Sequence, residues 1–378
     1  MKKLKIAIVT NNYKPYSGGI VNSIDVFACE LKKQGHEVFI ITLDFLGEDQ
    51  KNEPDIYRID CPIKFIYKKN HMAVPWRAEE AIFTALKNFG PDIIHSQHPF
   101  LLGFYALNVS KKLKIPIVFT YHTMYEDYAH YVPLPLAITK PVIKNLAISY
   151  CQSVDGIIAP SNSTLAYLQC NKITKPITVI PSGILPIYLS DFKPPDNKIF
   201  KLITVSRFVP EKNIEFLLDV YSQLDQDACK FNLIGYGSHL KYLQNYAYKV
   251  LNLSEDNVKF IVKPSKVEIA DYYKSSDVFI FASKSETQGL VLAEAMAGGC
   301  PVIALNAPGA CDIIQNNING FLIESELQMI EKINYLLKDN EAHIRMQKNA
   351  WNTGQSYDQK SVTKKLITFY ESIIYNII

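Results

Sequence analysis

The sequence predicts an α/β protein of two doubly wound domains, each with a parallel β-sheet between helices. Three observations carry this prediction. Short apolar runs alternate with helical patterns, the alternation occurs as two separate series, and a polar segment with several prolines divides them. The length agrees, because 378 residues exceed what one hydrophobic core usually supports, and 48% apolar content is enough for two cores.

The first series opens with a strand at residues 4–10, which is followed by a helix at 20–33 and a strand at 38–42. Further strands of this series are predicted at 92–95, 115–120 and 156–159. The basic and then apolar start is too short for a signal peptide, so we interpret it as the first strand. No segment approaches the ~20 apolar residues needed to span a bilayer, so membrane contact is expected to be peripheral.

The second series predicts strands at 201–206, 231–234, 258–262, 278–281 and 301–305. Between the series, the polar and prolyl stretch has no periodicity and is interpreted as a linker. The last residues carry apolar side chains at helical spacing, which need an apolar surface to cover. The expected domains are therefore 1–185, a linker at 186–200, a second domain at 201–353 and a C-terminal helix at 354–378.

Two classes of protein are disfavoured. Seven scattered cysteines, an odd number without a Cys-x-x-Cys pair, indicate a reduced cytoplasmic compartment and neither a disulfide framework nor a zinc site. No Gly-x-Gly-x-x-Gly follows the first strand of either series, which disfavours a nicotinamide-dependent dehydrogenase. No nucleic-acid partner is expected.

Glu286 and Glu294 stand eight positions apart in a segment whose pattern predicts a strand, a tight turn and a helix. Gly289, in the turn, lets backbone N–H groups approach an anionic ligand. Glu294 lies about two helical turns further on. The two carboxylates are therefore predicted to contact different parts of one ligand.

Other segments place glycine or positive charge after predicted strands. Gly18-Gly19 precedes the first helix, where main-chain N–H groups face a phosphate. Arg207 and Lys212 follow the first strand of the second series and carry the charge that a leaving nucleoside diphosphate requires. Gly235-Tyr236-Gly237 follows the next strand.

Together these segments resemble the retaining glycosyltransferases of family 4. The resemblance is carried by the Glu-x7-Glu spacing, by the Gly-x-Gly turn, and by residues 206–213, which resemble the family's Gly-Arg-Leu-x-x-x-Lys-Asn segment with Ser206 in place of the glycine and Phe208 in place of the leucine. It implies the GT-B architecture, in which two Rossmann-like domains face each other across a cleft. It also implies that a C-terminal helix returns to the first domain.

The resemblance assigns the donor site. It puts Glu286 next to the hexose of a sugar nucleotide and Glu294 on the ribose hydroxyls, while Arg207 and Lys212 stabilise the diphosphate. The other donor-binding residues it implies are Gly18, Gly19, Gly235, Gly237, Val262, Gly289 and Leu290. It further implies retention of configuration, with side chains in place of a metal ion, so neither a metal site nor a cofactor is expected. UDP-glucose is the expected donor, although the residues themselves identify neither the hexose nor the base.

His122 ends a predicted strand of the first domain, at the sheet edge where ligands of open α/β sheets bind. Residues 122–128, His-Thr-Met-Tyr-Glu-Asp-Tyr, resemble a loop of bacterial diacylglycerol glycosyltransferases, peripheral membrane enzymes that glycosylate a lipid hydroxyl. This resemblance implies an acceptor site formed by His98, Tyr125, Glu126 and Tyr128. The implied catalytic residues are His122, Glu286, Arg207 and Lys212.

Charge supports a membrane contact on the first domain. Residues 1–185 carry 20 Lys+Arg and 15 Asp+Glu, and the segment 63–77 mixes cations with aromatic and aliphatic residues. Such a composition suits the anionic inner face of the cell membrane. The apolar and prolyl stretch 132–140 is a second candidate for this contact. Two alternatives remain open: a family 4 enzyme with a soluble or polysaccharide (including lipopolysaccharide) acceptor, and a non-catalytic protein that binds sugar nucleotides.

Overall fold

The computed structural model describes residues 3–14, 18–45, 53–67, 70–126, 135–196, 198–284, 286 and 288–376, without the side chains of 66, 67, 70–72 and 376. The chain forms two compact units. The first consists of Met1–Gly183 and Gln359–Ile378, and the second of Ile184–Asp358. Each unit is an α/β domain with its own parallel sheet, which confirms the predicted fold class.

The strands of the first unit are β1 (Lys5–Val9), β2 (Glu37–Leu43), β3 (Ile56–Ile59), β4 (Ile63–Tyr67), β5 (Asn70–Val74), β6 (Ile93–Ser96), β7 (Ile117–Thr120), β8 (Gly156–Ala159) and β9 (Ile177–Val179). Its helices are α1 (Gly19–Lys33), α2 (Ala78–Phe89), α3 (Leu102–Leu113), α4 (Leu136–Ser153), α5 (Asn162–Cys170) and α13 (Gln359–Asn376). In the described ranges, seven strands form one parallel sheet in the order β3-β2-β1-β6-β7-β8-β9, and β4 pairs with β5 as an antiparallel hairpin.

The core of the first unit lies on both faces of this sheet. β6, β7 and β8 are buried at every position, as expected for parallel strands that helices cover on both sides. On one face, Val362, Leu366 and Tyr370 of α13 pack with residues of β1 and α1. Gly156 of β8 is so close to this helix that an added Cβ would lie 2.7 Å from Ile373. The apolar stripe at the end of the sequence is therefore covered by the first unit.

The strands of the second unit are β10 (Phe200–Arg207), β11 (Cys229–Tyr236), β12 (Val258–Val262), β13 (Val278–Phe281), β14 (Val302–Leu305) and β15 (Gly320–Ile323). Its helices are α6 (Ile214–Ser222), α7 (Leu240–Asn245), α8 (Lys266–Lys274), α9 (Leu290–Ala297), α10 (Ala310–Ile313), α11 (Glu326–Lys338) and α12 (Asn340–Gln355). The six strands that the structure describes are parallel, in the order β12-β11-β10-β13-β14-β15. Strand order therefore reverses between β10 and β13.

The boundaries of the units differ from the predicted ones. The segment 186–200, interpreted as a linker, lies within the second unit, where Pro186–Tyr188 forms a 3-10 turn and Tyr188 is buried. At the other end, α12 continues past residue 353 to Gln355. Gly354 packs directly on α9, so closely that a Cβ added to Gly354 would lie 2.2 Å from the Ala297 nitrogen. This contact keeps the end of α12 in the second unit. Proline and polarity marked the segment as a linker, but its few apolar side chains are enough to anchor it.

Candidate active site

The candidate donor site lies at the carboxyl ends of β10 and β13, where strand order reverses. In open parallel sheets, ligands bind at such a switch point. After β10, the chain buries Phe208 and forms the 3-10 turn Pro210–Lys212. Proline suits the start of this turn, because a backbone N–H there has no partner to lose. Asn213 follows and donates to the Ala282 carbonyl at 3.5 Å, which ties the turn to the end of β13.

Lys212 and Glu286 form an ion pair in this site. The Lys212 ammonium contacts the Glu286 carboxylate and lies 3.4 Å from the Ser283 hydroxyl. The two side chains are only 12% and 22% exposed, so solvent screens this pair less than it screens a pair on the surface. Because Glu286 already neutralises the Lys212 charge, a second anion competes with this carboxylate for the ammonium.

Arg207 lies outside this pair, at the end of β10. Its side chain is 58% exposed, and its guanidinium lies 3.7 Å from the Glu211 carboxylate. An exposed ion pair at this distance contributes little to stability. The Arg207 guanidinium can therefore exchange Glu211 for an incoming anion at small cost.

Two glycines with left-handed backbone shape the turn around Glu286. Gly289 (φ 67°) precedes α9, and Gly309 (φ 81°) precedes α10. A Cβ on Gly309 would lie 2.7 Å from the Cβ of Glu286, so glycine is needed for this approach. Leu290 begins α9. The strand, turn and helix predicted around Glu286 are thus present.

Glu294 lies on α9, close to Lys266 and Tyr273. Burial raises the pKa of the Glu294 carboxyl to about 7, while Lys266 and the Tyr273 hydroxyl act in the opposite direction. Tyr273 is buried, and its hydroxyl has no hydrogen bond of ordinary geometry. The Tyr273 ring packs edge-on against Tyr188, 5.9 Å between centroids. A substantial fraction of the Glu294 carboxyl is therefore protonated near neutral pH.

Gly235 and Gly237 are required by the backbone itself. An added Cβ would lie 1.8 Å from the Ser206 carbonyl oxygen at Gly235 and 2.1 Å from the Phe208 carbonyl oxygen at Gly237. These close approaches bring the ends of β10 and β11 together. Val262 ends β12 beside them and is partly exposed. Packing thus explains both glycines before any ligand is considered.

The glycine pair of the first unit has no such packing constraint. Gly18 precedes α1 and Gly19 is the first residue of the helix. An added Cβ at either position would meet no atom of the described part of the chain within 4 Å. Close approach of an anionic ligand to the N–H groups at the start of this helix would account for both glycines.

His122 follows β7 and is held by Gln97, which follows β6. The His122 Nε2 lies 2.6 Å from the Gln97 Oε1. A carbonyl oxygen only accepts, so Nε2 carries the proton and Nδ1 is left as an acceptor. Burial, followed by the nearby His98 and His95 rings, lowers the pKa of His122 well below its usual value. The His122 imidazole is therefore neutral near pH 7.

His98 and His95 are tied into the first unit. The His98 Nδ1 accepts from the Asn11 backbone N–H at 3.2 Å, and burial lowers the pKa of His98 to about 4. His95 lies 2.7 Å from the Thr120 hydroxyl and 2.6 Å from the Tyr370 hydroxyl. Of the His98 ring nitrogens, only Nε2 therefore remains to contact an acceptor substrate. Both ring nitrogens of His95 already have hydrogen-bond partners.

The other predicted acceptor residues differ in their surroundings. Tyr125 lies in the core, with its ring edge-on to Phe100 at 5.3 Å between centroids. Glu126 accepts from the Tyr167 hydroxyl at 2.6 Å through Oε1, while its Oε2 is buried and has no partner in the ranges that the structure describes. Tyr128 lies outside the described residues. In this group, the Tyr125 hydroxyl and the Glu126 Oε2 are therefore both buried without a hydrogen-bond partner among the described residues.

Gln97, Ser283 and Gly309 are site residues that were not predicted from the sequence. Each lies beyond the carboxyl end of a buried parallel strand, β6, β13 or β14, and this position was the available signal. None of the three carries charge, so composition alone could not reveal them.

One pair of closely spaced carboxylates in the sequence bears on the prediction that the enzyme has no metal site. Asp225-Gln226-Asp227 places two carboxylates close together, but it precedes β11 and so lies at the opposite strand end from Arg207. Among the residues that the structure describes, no three His, Cys, Asp or Glu side chains are grouped to hold a metal ion. Metal independence stays a prediction.

Comparison with known proteins covers both halves of the chain. The family model Glycosyltransferase Family 4 matches residues 17–186, and Glycosyl transferases group 1 matches residues 190–353. The α-monoglucosyldiacylglycerol synthase of Streptococcus pneumoniae is 34% identical over 342 residues, which are 85% of this chain and 76% of that protein. A protein of the same name from Acholeplasma laidlawii is 27% identical over 394 residues, 98% of each chain.

A solved structure gives the same fold. Sucrose-phosphate synthase from Thermosynechococcus elongatus has a TM-score of 0.78 at 19% identity, over 99% of this chain and 100% of that one. The predicted GT-B fold and the resemblance to diacylglycerol glycosyltransferases are therefore confirmed. With both halves matched by family models and a relative at 34% identity, the chain belongs to the family 4 glycosyltransferases.

Proposed function

We propose that this glycosyltransferase moves glucose from UDP-glucose to the hydroxyl of diacylglycerol or a related membrane lipid, with retention of configuration. The Lys212–Glu286 pair at the switch point carries the proposal, because it provides a cation for a departing diphosphate and a carboxylate for the hexose. The name of the Streptococcus pneumoniae relative, an α-monoglucosyldiacylglycerol synthase, supports glucose as the sugar and diacylglycerol as the acceptor.

In this mechanism, the second unit binds the sugar nucleotide. Glu286 binds hexose hydroxyls, Glu294 binds ribose hydroxyls, and Arg207 and Lys212 take up the charge that grows on the diphosphate. The bond from the anomeric carbon to the phosphate oxygen breaks, and the acceptor oxygen bonds to the same face of that carbon. The acceptor's proton passes to the leaving phosphate, so the step needs neither an enzymic nucleophile nor a metal ion.

The first unit is proposed to bind the acceptor. A neutral His122 with an available Nδ1 can accept a hydrogen bond from a hydroxyl of the hexose or of the acceptor. The unpaired Glu126 Oε2 is a second acceptor atom in the same stretch of chain. Both atoms favour a ligand that presents hydroxyl groups.

Helix α4 supports a lipid acceptor, because it is suited to lie on a membrane. Its exposed apolar side chains, each 47–61% accessible, are Leu136, Ile138, Val142 and Leu146. The helix also carries Lys140 and Lys144 and no acidic residue. Apolar side chains beside cations suit the interface of an anionic bilayer. Among the helices that the structure describes, none is both long and apolar enough to cross a bilayer.

The hairpin of β4 and β5, which sequence analysis favoured for this contact, is less suited to an electrostatic role. Lys64 contacts Asp44 and is only 19% exposed, so its charge is neutralised within the unit. Lys68 and Lys69 lie outside the described residues. The flanking Trp76 is 73% exposed and remains suited to a membrane interface. We therefore propose α4 as the main membrane contact.

A donor and acceptor screen tests the proposal. The purified enzyme is incubated with UDP-glucose, UDP-galactose, GDP-mannose or ADP-glucose and with vesicles that contain diacylglycerol. Mass spectrometry is expected to detect a monoglucosyl lipid from UDP-glucose, and proton NMR an α-linkage. Arg207→Ala and Lys212→Ala should each lower turnover by roughly 10²-fold, whereas Lys249→Ala, a surface change in the same unit, should not. Transfer only to water-soluble acceptors, or a β-linked product, would contradict the proposal.

A further inference from the structure

We propose that the ring of Tyr236 is the stacking platform for the nucleotide base, and that Lys263 holds this ring in place. The inference rests on the proposed function, because it needs a nucleotide donor. Of the donor-binding residues that the resemblance implies, Val262 is the one at the end of β12, and none of them is aromatic. A stacking side chain would add a contact that the family motif does not contain.

Strand register places Tyr236 next to Arg207, which is proposed to bind the diphosphate. Arg207 pairs with Tyr236 across β10 and β11, and Gly235 pairs with Val262 across β11 and β12. Paired residues of neighbouring parallel strands project to the same face of a sheet, and the strands are about 4.8 Å apart. Tyr236 is therefore one strand spacing from Arg207, so a diphosphate bound by Arg207 leaves its nucleoside within reach of the Tyr236 ring.

The Tyr236 ring is both exposed and supported. It is 45% exposed, although the strand that it ends is largely buried. The Lys263 ammonium lies over the ring, 5.9 Å from its centroid. Lys263 has a left-handed backbone (φ 52°), and its N–H donates to the Gly235 carbonyl at 3.3 Å. This turn directs the lysine over one face of the ring, which leaves the opposite face for a base.

On the other side of β10, toward β13 and β14, the sheet offers no comparable surface for a base. Beyond β13, the loop after β14 reads Asn306-Ala307-Pro308-Gly309 and contains no aromatic or basic residue. Its Gly309 packs against Glu286, on the hexose side of the proposed donor. A nucleotide that extends from the Lys212–Glu286 pair past Arg207 therefore brings its base toward β11 and β12. Stacking on an aromatic side chain strengthens base binding by roughly 5- to 100-fold.

Titration calorimetry with UDP, GDP and ADP tests the inference. The change is Tyr236→Ala, with Tyr236→Phe to retain the ring, and the matched control is Tyr242→Ala, because Tyr242 is a similarly exposed tyrosine on α7 (52%). Tyr236→Ala should weaken the tightest-binding nucleotide by at least about fivefold, whereas the other two variants should stay within about twofold of the wild type. The inhibition constant of inorganic pyrophosphate, measured on sugar-nucleotide hydrolysis, should not change.

The outcomes separate this inference from the proposed function. If the wild type binds a nucleotide and Tyr236→Ala binds it equally well, the stacking role is wrong while the proposed function stands. A matching loss for pyrophosphate, or the same loss in Tyr242→Ala, would indicate a general disturbance of the site and would also overturn the stacking role. If the wild type binds none of the three nucleotides, the proposed function itself is wrong.

Discussion

At the scale of single residues, the proposed function makes donor binding a competition between the diphosphate and Glu286 for Lys212. The carboxylate holds the ammonium that a diphosphate needs, and both side chains are mostly buried. A diphosphate carries more charge than one carboxylate and can displace it. The released Glu286 is then free to bind the hexose. Donor binding and the preparation of this carboxylate are therefore one event.

Glu286→Gln is expected to separate affinity from turnover. Without the negative charge, Lys212 is free for the phosphate, so UDP should bind several-fold more tightly in calorimetry. Turnover should fall by roughly 10²-fold, because the amide cannot replace the carboxylate at the hexose. Glu331→Gln, a 67% exposed acid of the same unit, is the control and should change neither quantity. UDP affinity that is unchanged or weaker in Glu286→Gln would show that the pair does not compete with the donor.

Glu294 gives the stability of the second unit a dependence on pH. Its folded pKa, about 7, lies above its unfolded value, so the folded state holds the proton more tightly. This contribution is fully present below the unfolded pKa and is lost as pH rises to about 7. Wild-type Tm should therefore fall by a few degrees more between pH 5 and pH 8 than the Tm of Glu294→Gln. Equal slopes in differential scanning calorimetry would contradict the assigned pKa.

At the scale of elements, α4 can be tested as a membrane contact. Ile138→Glu together with Val142→Glu places two negative charges on its exposed apolar face. In a sedimentation assay, this variant should no longer bind phosphatidylglycerol vesicles. Its hydrolysis of UDP-glucose in solution should be retained. Leu327→Glu, which adds an acid at an exposed leucine of α11 in the other unit, should not affect sedimentation. Vesicle binding by the double variant equal to that of the wild type would remove α4 from the membrane contact.

Buried elements were the most predictable from sequence. The strands at 156–159 and 278–281 were predicted with the bounds that the structure gives, because parallel strands buried on both faces are continuous apolar runs. The hairpin of β4 and β5 was missed, because its mixed composition was interpreted only as a membrane surface. β15 was missed because its sequence, Gly-Phe-Leu-Ile, opens with a glycine after the mostly polar stretch 315–319 and so offers only three consecutive apolar residues.

Site residues were predictable from the sequence when they are charged and also follow a predicted strand. Lys212 and Glu286 met both conditions and are in contact. Gln97 did not, because an uncharged amide is common anywhere and its bond to His122 joins residues 25 positions apart. The burial of Tyr125 was also not predictable, because a tyrosine in a loop sequence gives no sign of the packing against Phe100. Long-range contacts of neutral groups require the folded structure.

At the scale of the whole molecule, α13 makes the stability of the first unit depend on the last residues of the sequence. The Tyr370 hydroxyl and the His95 Nδ1 are 2.6 Å apart, and both residues are buried. Tyr370→Phe would leave this nitrogen without its partner, at a cost of about 1–3 kcal/mol. Chemical denaturation should show this loss, whereas Tyr375→Phe, a partly exposed change on the same helix, should be neutral. Equal stability of both variants would mean that the bond contributes nothing.

The ends of the second unit lie side by side. The Ile184 N–H donates to the Tyr357 carbonyl at 2.9 Å, and Ile184 forms a parallel bridge with Asp358. On the other side of both junctions, Gly183 packs against Gln359, with an added Cβ 2.8 Å from its Cα. The second unit is thus an insertion with closely spaced ends, and such insertions can be exchanged without rebuilding their host. Under the proposed function, chimeras between relatives, joined after residues 183 and 358, are expected to combine the sugar choice of one enzyme with the acceptor choice of another.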